Sequence, residues 1–122
     1  MQKIIYVGIG GCIGAVLRYA ISCKLGEAQI PLGTLTVNIL GGFLIGLIME
    51  ISISSELISP NMRLFLTTGV LGGLTTFSTF SYETIRLIEN GDLKHGVMNI
   101  FLNILLCLGG VVLGQYVAGK TI

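Results

Sequence analysis

Residues 69–83 read GVLGGLTTFSTFSYE, and they lie inside a run that is long and apolar enough to cross a bilayer. Gly69, Gly72 and Gly73 are followed by five hydroxyl side chains (Thr75, Thr76, Ser78, Thr79, Ser81) interleaved with Phe77 and Phe80. Such a stretch is poor material for a continuous lipid-facing helix. It predicts a break, because a nearby Ser or Thr can satisfy the backbone groups that a break frees. A break in mid-span leaves carbonyls at the end of the first half-helix, which suit a cation. It leaves N–H groups at the start of the second half, which suit an anion. Phe77 and Phe80, three apart, share a helix face. An aromatic ring is negative on its face and positive at its edge, so two ring edges can line an anion path without gripping the ion. The plainer reading, that both rings only pack, holds for most Phe pairs.

The whole chain agrees with a membrane setting. It has 122 residues, 52% hydrophobic and 11% charged, with a mean hydropathy of +0.90, whereas soluble domains carry about 25% charged residues. The length suits one domain. So short a chain has little room to enclose a site alone, so oligomerisation is expected. A net charge of +1 leaves no basic footprint for nucleic acid. Cys12, Cys23 and Cys107 show no disulfide or metal spacing and read as small apolar residues.

Four weakly charged runs predict an all-α membrane protein with four transmembrane helices, at about 4–22, 32–50, 62–88 and 95–118, the third broken near 72–77. About 20 apolar residues are needed for each crossing. Lys3 and the apolar run behind it resemble a leader, and Ala20-Ile21-Ser22-Cys23 resembles a lipoprotein cleavage box. Arg18 interrupts that run and three further spans follow, so the segment reads as a retained helix. Pro31 and Pro60 sit just before spans, where a missing N–H does no harm. The pairs Gly10/Gly14, Gly42/Gly46 and Gly110/Gly114 have the spacing that lets membrane helices approach closely. The glycines at 8–14 do not fit a dinucleotide-binding loop, and no βαβ context follows.

Four spans place both termini on one side. Lys3, Arg63 and Lys120 then lie on that side, against Lys24, Arg86 and Lys94 on the other, with Arg18 added there if it snorkels outward. The positive-inside rule works through such asymmetry, and here it gives almost no instruction. Two outcomes stay open: insertion both ways, with an antiparallel homodimer as its product, or a single orientation fixed by the loops.

Polar residues inside the spans are the candidates for function. Asn38 has Thr34 one turn earlier, and Asn99, Asn103 and Cys107 form one stripe at spacings of four. A lone Asn reads as interhelical glue. The stripe, together with Asn38 and the hydroxyl-rich third span, favours a polar pathway. Arg18 suits either an anion vestibule or a snorkelling helix end, and Glu83 and Arg86 are spaced to pair. With one histidine, His95, and no catalytic constellation, the chain does not read as an enzyme.

GGCIGAVLRY at 10–19, GTLTVNILGGFLIG at 33–46 and, above all, GVLGGLTTFSTFSYE at 69–83 resemble the Fluc family, also called CrcB, of small fluoride channels. The resemblance covers nearly the whole chain. It implies an antiparallel dual-topology homodimer in the bacterial inner membrane, with two pores along the subunit interface that passively export cytoplasmic fluoride. By the same resemblance Phe77 and Phe80 are the aromatic pore lining, Asn38 a pore-facing polar residue, and Ser78 and Thr79 the hydroxyls near the rings. Arg18 matches the vestibule arginine, and Asn99 and Asn103 fall on a polar track often built from hydroxyls. A structural sodium ion at the dimer centre would be held by main-chain oxygens that match Gly72 and Thr75. Two rivals are a small dual-topology proton-coupled drug exporter and a non-transporting assembly subunit. The first lacks an acidic residue in its first span, and the second leaves the Asn and hydroxyl placement unexplained.

Overall fold

The computed structural model describes residues 1–26 and 28–122, and among them every regular element is helical. Helix α1 runs over Gln2–Leu25 and α2 over Leu32–Ser54. The next helix, α3, is composite: α-helical over Pro60–Leu64, π-helical over Phe65–Leu71, and α-helical again over Gly72–Leu74. After an interruption, α4 covers Phe77–Glu89 and α5 covers Leu93–Thr121. Three helices (α1, α2 and α5) are long and apolar enough to cross a membrane. The third span is made in two pieces, neither of which reaches that length alone.

Local chemistry explains the ends. Ser59 caps α3 by accepting the Met62 N–H at 3.3 Å, with Pro60 at the first position. Asn90 closes α4. Gly91 then takes a left-handed φ of 82° while its N–H reaches the Ile88 carbonyl and the Asp92 N–H reaches that of Leu87. That crossed pair of bonds is the Schellman motif, and only glycine adopts its φ without strain. Asp92 in turn caps α5, accepting the His95 N–H at 3.3 Å. The chain therefore reverses within three residues.

The most extensive seam joins α2 to α5; α1 packs along α3, and α4 along α5. The glycine pairs lie in these seams. A methyl group at Gly14 would run into the Val70 carbonyl and the Leu74 N, and one at Gly10 would lie 2.7 Å from the Phe65 carbonyl. Gly46 faces the Val111 carbonyl, and Gly114 faces the Phe43 carbonyl and Leu47 N in the same way. Backbone lies directly on backbone, as small residues in membrane helices allow. Between the seams a small core gathers Val37, Leu71 and Leu74, with Ile21, Leu44 and Ile48 around it. Long apolar side chains such as Ile4, Tyr19, Phe101 and Leu108 point outward, as lipid rather than water would permit.

Candidate functional site

The interruption falls on Thr75 and Thr76, both extended (φ −82°, ψ 156° and φ −153°, ψ 119°). Several side chains satisfy what it frees. Thr75 folds its hydroxyl back onto the Leu71 carbonyl at 2.9 Å, which its own N–H also reaches at 3.0 Å. The Thr76 hydroxyl caps α4 by accepting the Thr79 N–H at 3.2 Å, and it bonds the Thr79 hydroxyl at 3.0 Å and meets that of Ser78 at 3.3 Å. The Thr76 peptide itself is taken by Asn38. Its N–H donates to Asn38 Oδ1 at 2.8 Å, and its carbonyl accepts from Asn38 Nδ2 at 3.1 Å. The Thr76 N–H would otherwise continue the helical ladder onto the Gly72 carbonyl. Its diversion leaves that carbonyl without its ladder donor.

Asn38 is the end of a longer chain of amides. Its Nδ2 also donates to Asn103 Oδ1 at 3.0 Å. Asn103 Nδ2 donates to the main-chain oxygen and to Oδ1 of Asn99, both at 3.1 Å. Asn99 Nδ2 donates to the Thr84 hydroxyl at 2.9 Å, and Thr84 donates to the Phe80 carbonyl at 2.7 Å. Asn99 is wholly buried, and Asn103 and Thr84 nearly so.

An open cavity of about 470 Å³ lies against the break. Its lining includes Asn38, Gly72, Thr75, Phe77, Phe80 and Asn103, so six of the residues singled out from the sequence share one space. The two rings touch, with centroids 5.4 Å apart and planes tilted by 59°. They are not equivalent: Phe80 is 6% exposed and Phe77 78%. Gly41 makes room at the break, since a methyl group there would collide with the Thr75 methyl.

Other expected residues fall elsewhere. Ser78 and Thr79 are exposed and belong to the cap of α4, not to the cavity wall. Asn99 stands behind the wall, and Arg18 is half-buried on α1 away from it. Cys107 does line the cavity. The spacing-based pair of Glu83 with Arg86 does not form. Arg86 bonds Glu89 at 3.4 Å on the exposed face, because Glu83 points inward and accepts the Thr34 hydroxyl at 3.0 Å. The second carboxylate oxygen, Glu83 Oε2, is buried with no hydrogen-bond partner among the described residues. Thr84 escaped the sequence reading, and Glu83 entered it only as a partner for Arg86. The available signal was a polar pair, Glu83-Thr84, inside a segment otherwise apolar on its inner face.

The CrcB-like protein, Camphor Resistance (CrcB), family model matches residues 5–115. A fluoride-specific ion channel FluC of Clostridium perfringens (strain 13 / Type A) is 56% identical, over 97% of this chain and 97% of its own length. Proteins of the same description from Clostridium novyi (strain NT) and Geotalea daltonii are 54% and 52% identical, the first covering 94% of both chains and the second 88% of this chain and 90% of its own. With the motifs at 10–19, 33–46 and 69–83 all inside the matched region, this chain belongs to the CrcB-like family.

Proposed function

We propose that this protein is a passive, fluoride-selective channel that lets fluoride leave the cell. The observation that carries the reading is the break at Thr75–Thr76, tied by Asn38 and facing an open cavity with both Phe77 and Phe80 on its wall. The relatives' description as fluoride-specific ion channels supports the same conclusion.

Fluoride is small and holds its water tightly, so its path must offer donors in place of that water: amide N–H groups, hydroxyls and ring edges. Chloride is rejected by narrowness and donor placement. No energy coupling is required, since a negative interior drives an anion outward by about 2.3 kcal/mol per charge per 100 mV. HF enters across the bilayer at low outside pH and dissociates inside, and a leak for fluoride alone lowers its internal level. The chain works as a channel and not as an enzyme.

The cavity is open and Phe77 stands largely bare beside it. We assign its missing wall to a second copy in the opposite orientation, in keeping with the balanced Lys and Arg count. The bacterial inner membrane is the expected location. A sodium ion is proposed at the break, held by the main-chain oxygens of Gly72 and Thr75. The donor set fits: both residues line the cavity, and the Gly72 carbonyl has lost its ladder donor to Asn38. Bound there, the ion would neutralise the carbonyl end of the first half-helix.

The test is fluoride efflux from liposomes holding the purified protein, read with an ion-selective electrode, with chloride run in parallel. Voltage-driven fluoride loss without chloride loss is the expected result. Absence of fluoride flux from a folded dimer removes the reading.

A further inference from the structure

The amide chain has a direction, and backbone groups set it. The Thr76 N–H can only donate and its carbonyl can only accept, so Asn38 must turn Oδ1 to the one and Nδ2 to the other. The Asn99 carbonyl can only accept, so Asn103 must turn Nδ2 toward it. Asn99 Oδ1 takes the same nitrogen at 3.1 Å, and Thr84 receives the Asn99 amide hydrogen on the far side. Asn103 Oδ1 is thereby left facing Asn38 Nδ2 at 3.0 Å. Turning Asn103 over would set amine against amine at Asn38 and carbonyl against carbonyl at Asn99.

We propose that Asn99, wholly buried behind the cavity, is a positioning residue for the ion route. By holding the Asn103 nitrogen from its side chain as well as its main chain, it keeps the Asn103 carbonyl on Asn38. Both hydrogens of the Asn38 amide are then spoken for, one on a main-chain carbonyl and one on a side chain. The side-chain partner is the one an anion displaces, so Asn103 stands in for the ion at Asn38 between passages. This differs from a track of donors laid along α5, because Asn103 presents its acceptor, not its donors, to the cavity. The inference rests on the channel reading above.

The test compares Asn99→Asp, Asn99→Leu, Thr84→Ser and Thr84→Val in the same liposome assay, with rates normalised to folded protein and thermal stability measured on each. Asp keeps the acceptor for Asn103, whereas Leu keeps only the volume. A packing role makes Leu the milder change, since Asp buries a charge. The positioning role gives the opposite order in flux: Asn99→Leu loses about tenfold in fluoride rate, the worth of one hydrogen bond, while Asn99→Asp stays nearer the parent despite lower stability. Thr84→Ser, which keeps the hydroxyl, conducts like the parent, and Thr84→Val falls below it. Should the Asn99 variants fail to fold, the Thr84 pair decides alone. Flux that follows stability, or equal rates for Thr84→Ser and Thr84→Val, overturns the proposal. A parent protein without fluoride flux refutes the channel reading instead.

Discussion

The two sides of the molecule are held by opposite means. Where α1 lies on α3, and where Gly42 and Gly46 of α2 meet Gly110 and Gly114 of α5, glycines bring backbone against backbone, and shape fixes the contact. At the break, the packing is open and the peptide is held by amides and hydroxyls. A seam fixed by shape tolerates no added atom but asks little of donor direction. A seam fixed by hydrogen bonds tolerates space but fails when a donor is turned or removed. The first kind suits a wall and the second suits a place where an ion must exchange partners.

The sharpest way to break the comparison is Gly14→Ala, whose methyl group meets main chain on both Val70 and Leu74. Neither can yield, and a loss of about 3 kcal/mol or more is expected, read as a collapsed yield of folded protein on gel filtration. Gly8→Ala on the same helix is its control. Among the described residues nothing lies within 4 Å of a methyl group there, and the better helix former should raise stability by about 0.5 kcal/mol.

The amide side answers to a different change. Asn38→Leu fills the same space but strands the N–H and carbonyl of Thr76, which is 8% exposed. Two buried groups without partners cost about 2–3 kcal/mol, seen as a lowered melting temperature in detergent together with loss of fluoride flux. Smaller still is Thr34→Val, which takes from Glu83 the donor it has. About 1.5 kcal/mol is expected. The loss should shrink in a Glu83→Gln background, because the carboxylate that needed the donor is gone. Equal losses in the two backgrounds would show that Thr34 acts through packing.

The smallest effect lies outside both seams, at the cap of α5. Hydrogen bonds from the His95 ring and then from its N–H hold the Asp92 carboxyl below the ordinary aspartate value. A depressed folded pKa stabilises above the unfolded value of about 3.9 and is lost as pH falls through the lower folded value. The first turn of α5 should therefore fray only in strong acid, measurable as faster hydrogen exchange at the His95 amide below about pH 4. Asp92→Asn should remove that pH dependence.

The seams were legible from the sequence because both use short-range patterns. Glycines four apart define a helix face wherever the helix goes, and Gly-Gly followed by hydroxyls marks a break by local chemistry. Asn38, Phe77, Phe80 and Asn103 were found by residue type and do meet at one cavity. What the pattern could not supply is direction and distance along the chain. Glu83 finds Thr34 forty-nine residues away, so the nearer Arg86 looked like its partner. Nor does spacing tell an amide which end to present, and Asn99 and Asn103 accordingly read only as members of one polar stripe. The π-helical turns at Phe65–Leu71 left no sequence mark either. They lie against the glycine face of α1.

The amide chain from Asn38 to Asn99 also bears on energy conservation in the cell. Water files and carboxyl groups relay protons by handing one on as another arrives. A primary amide does not, because its nitrogen holds its hydrogens and its oxygen is barely basic. A polar seam built of three such groups offers protons no wire. The membrane can then stay open to one ion without discharging its proton gradient. Fluoride-free vesicles carrying a trapped pH dye should accordingly hold their interior pH with this protein in the wall.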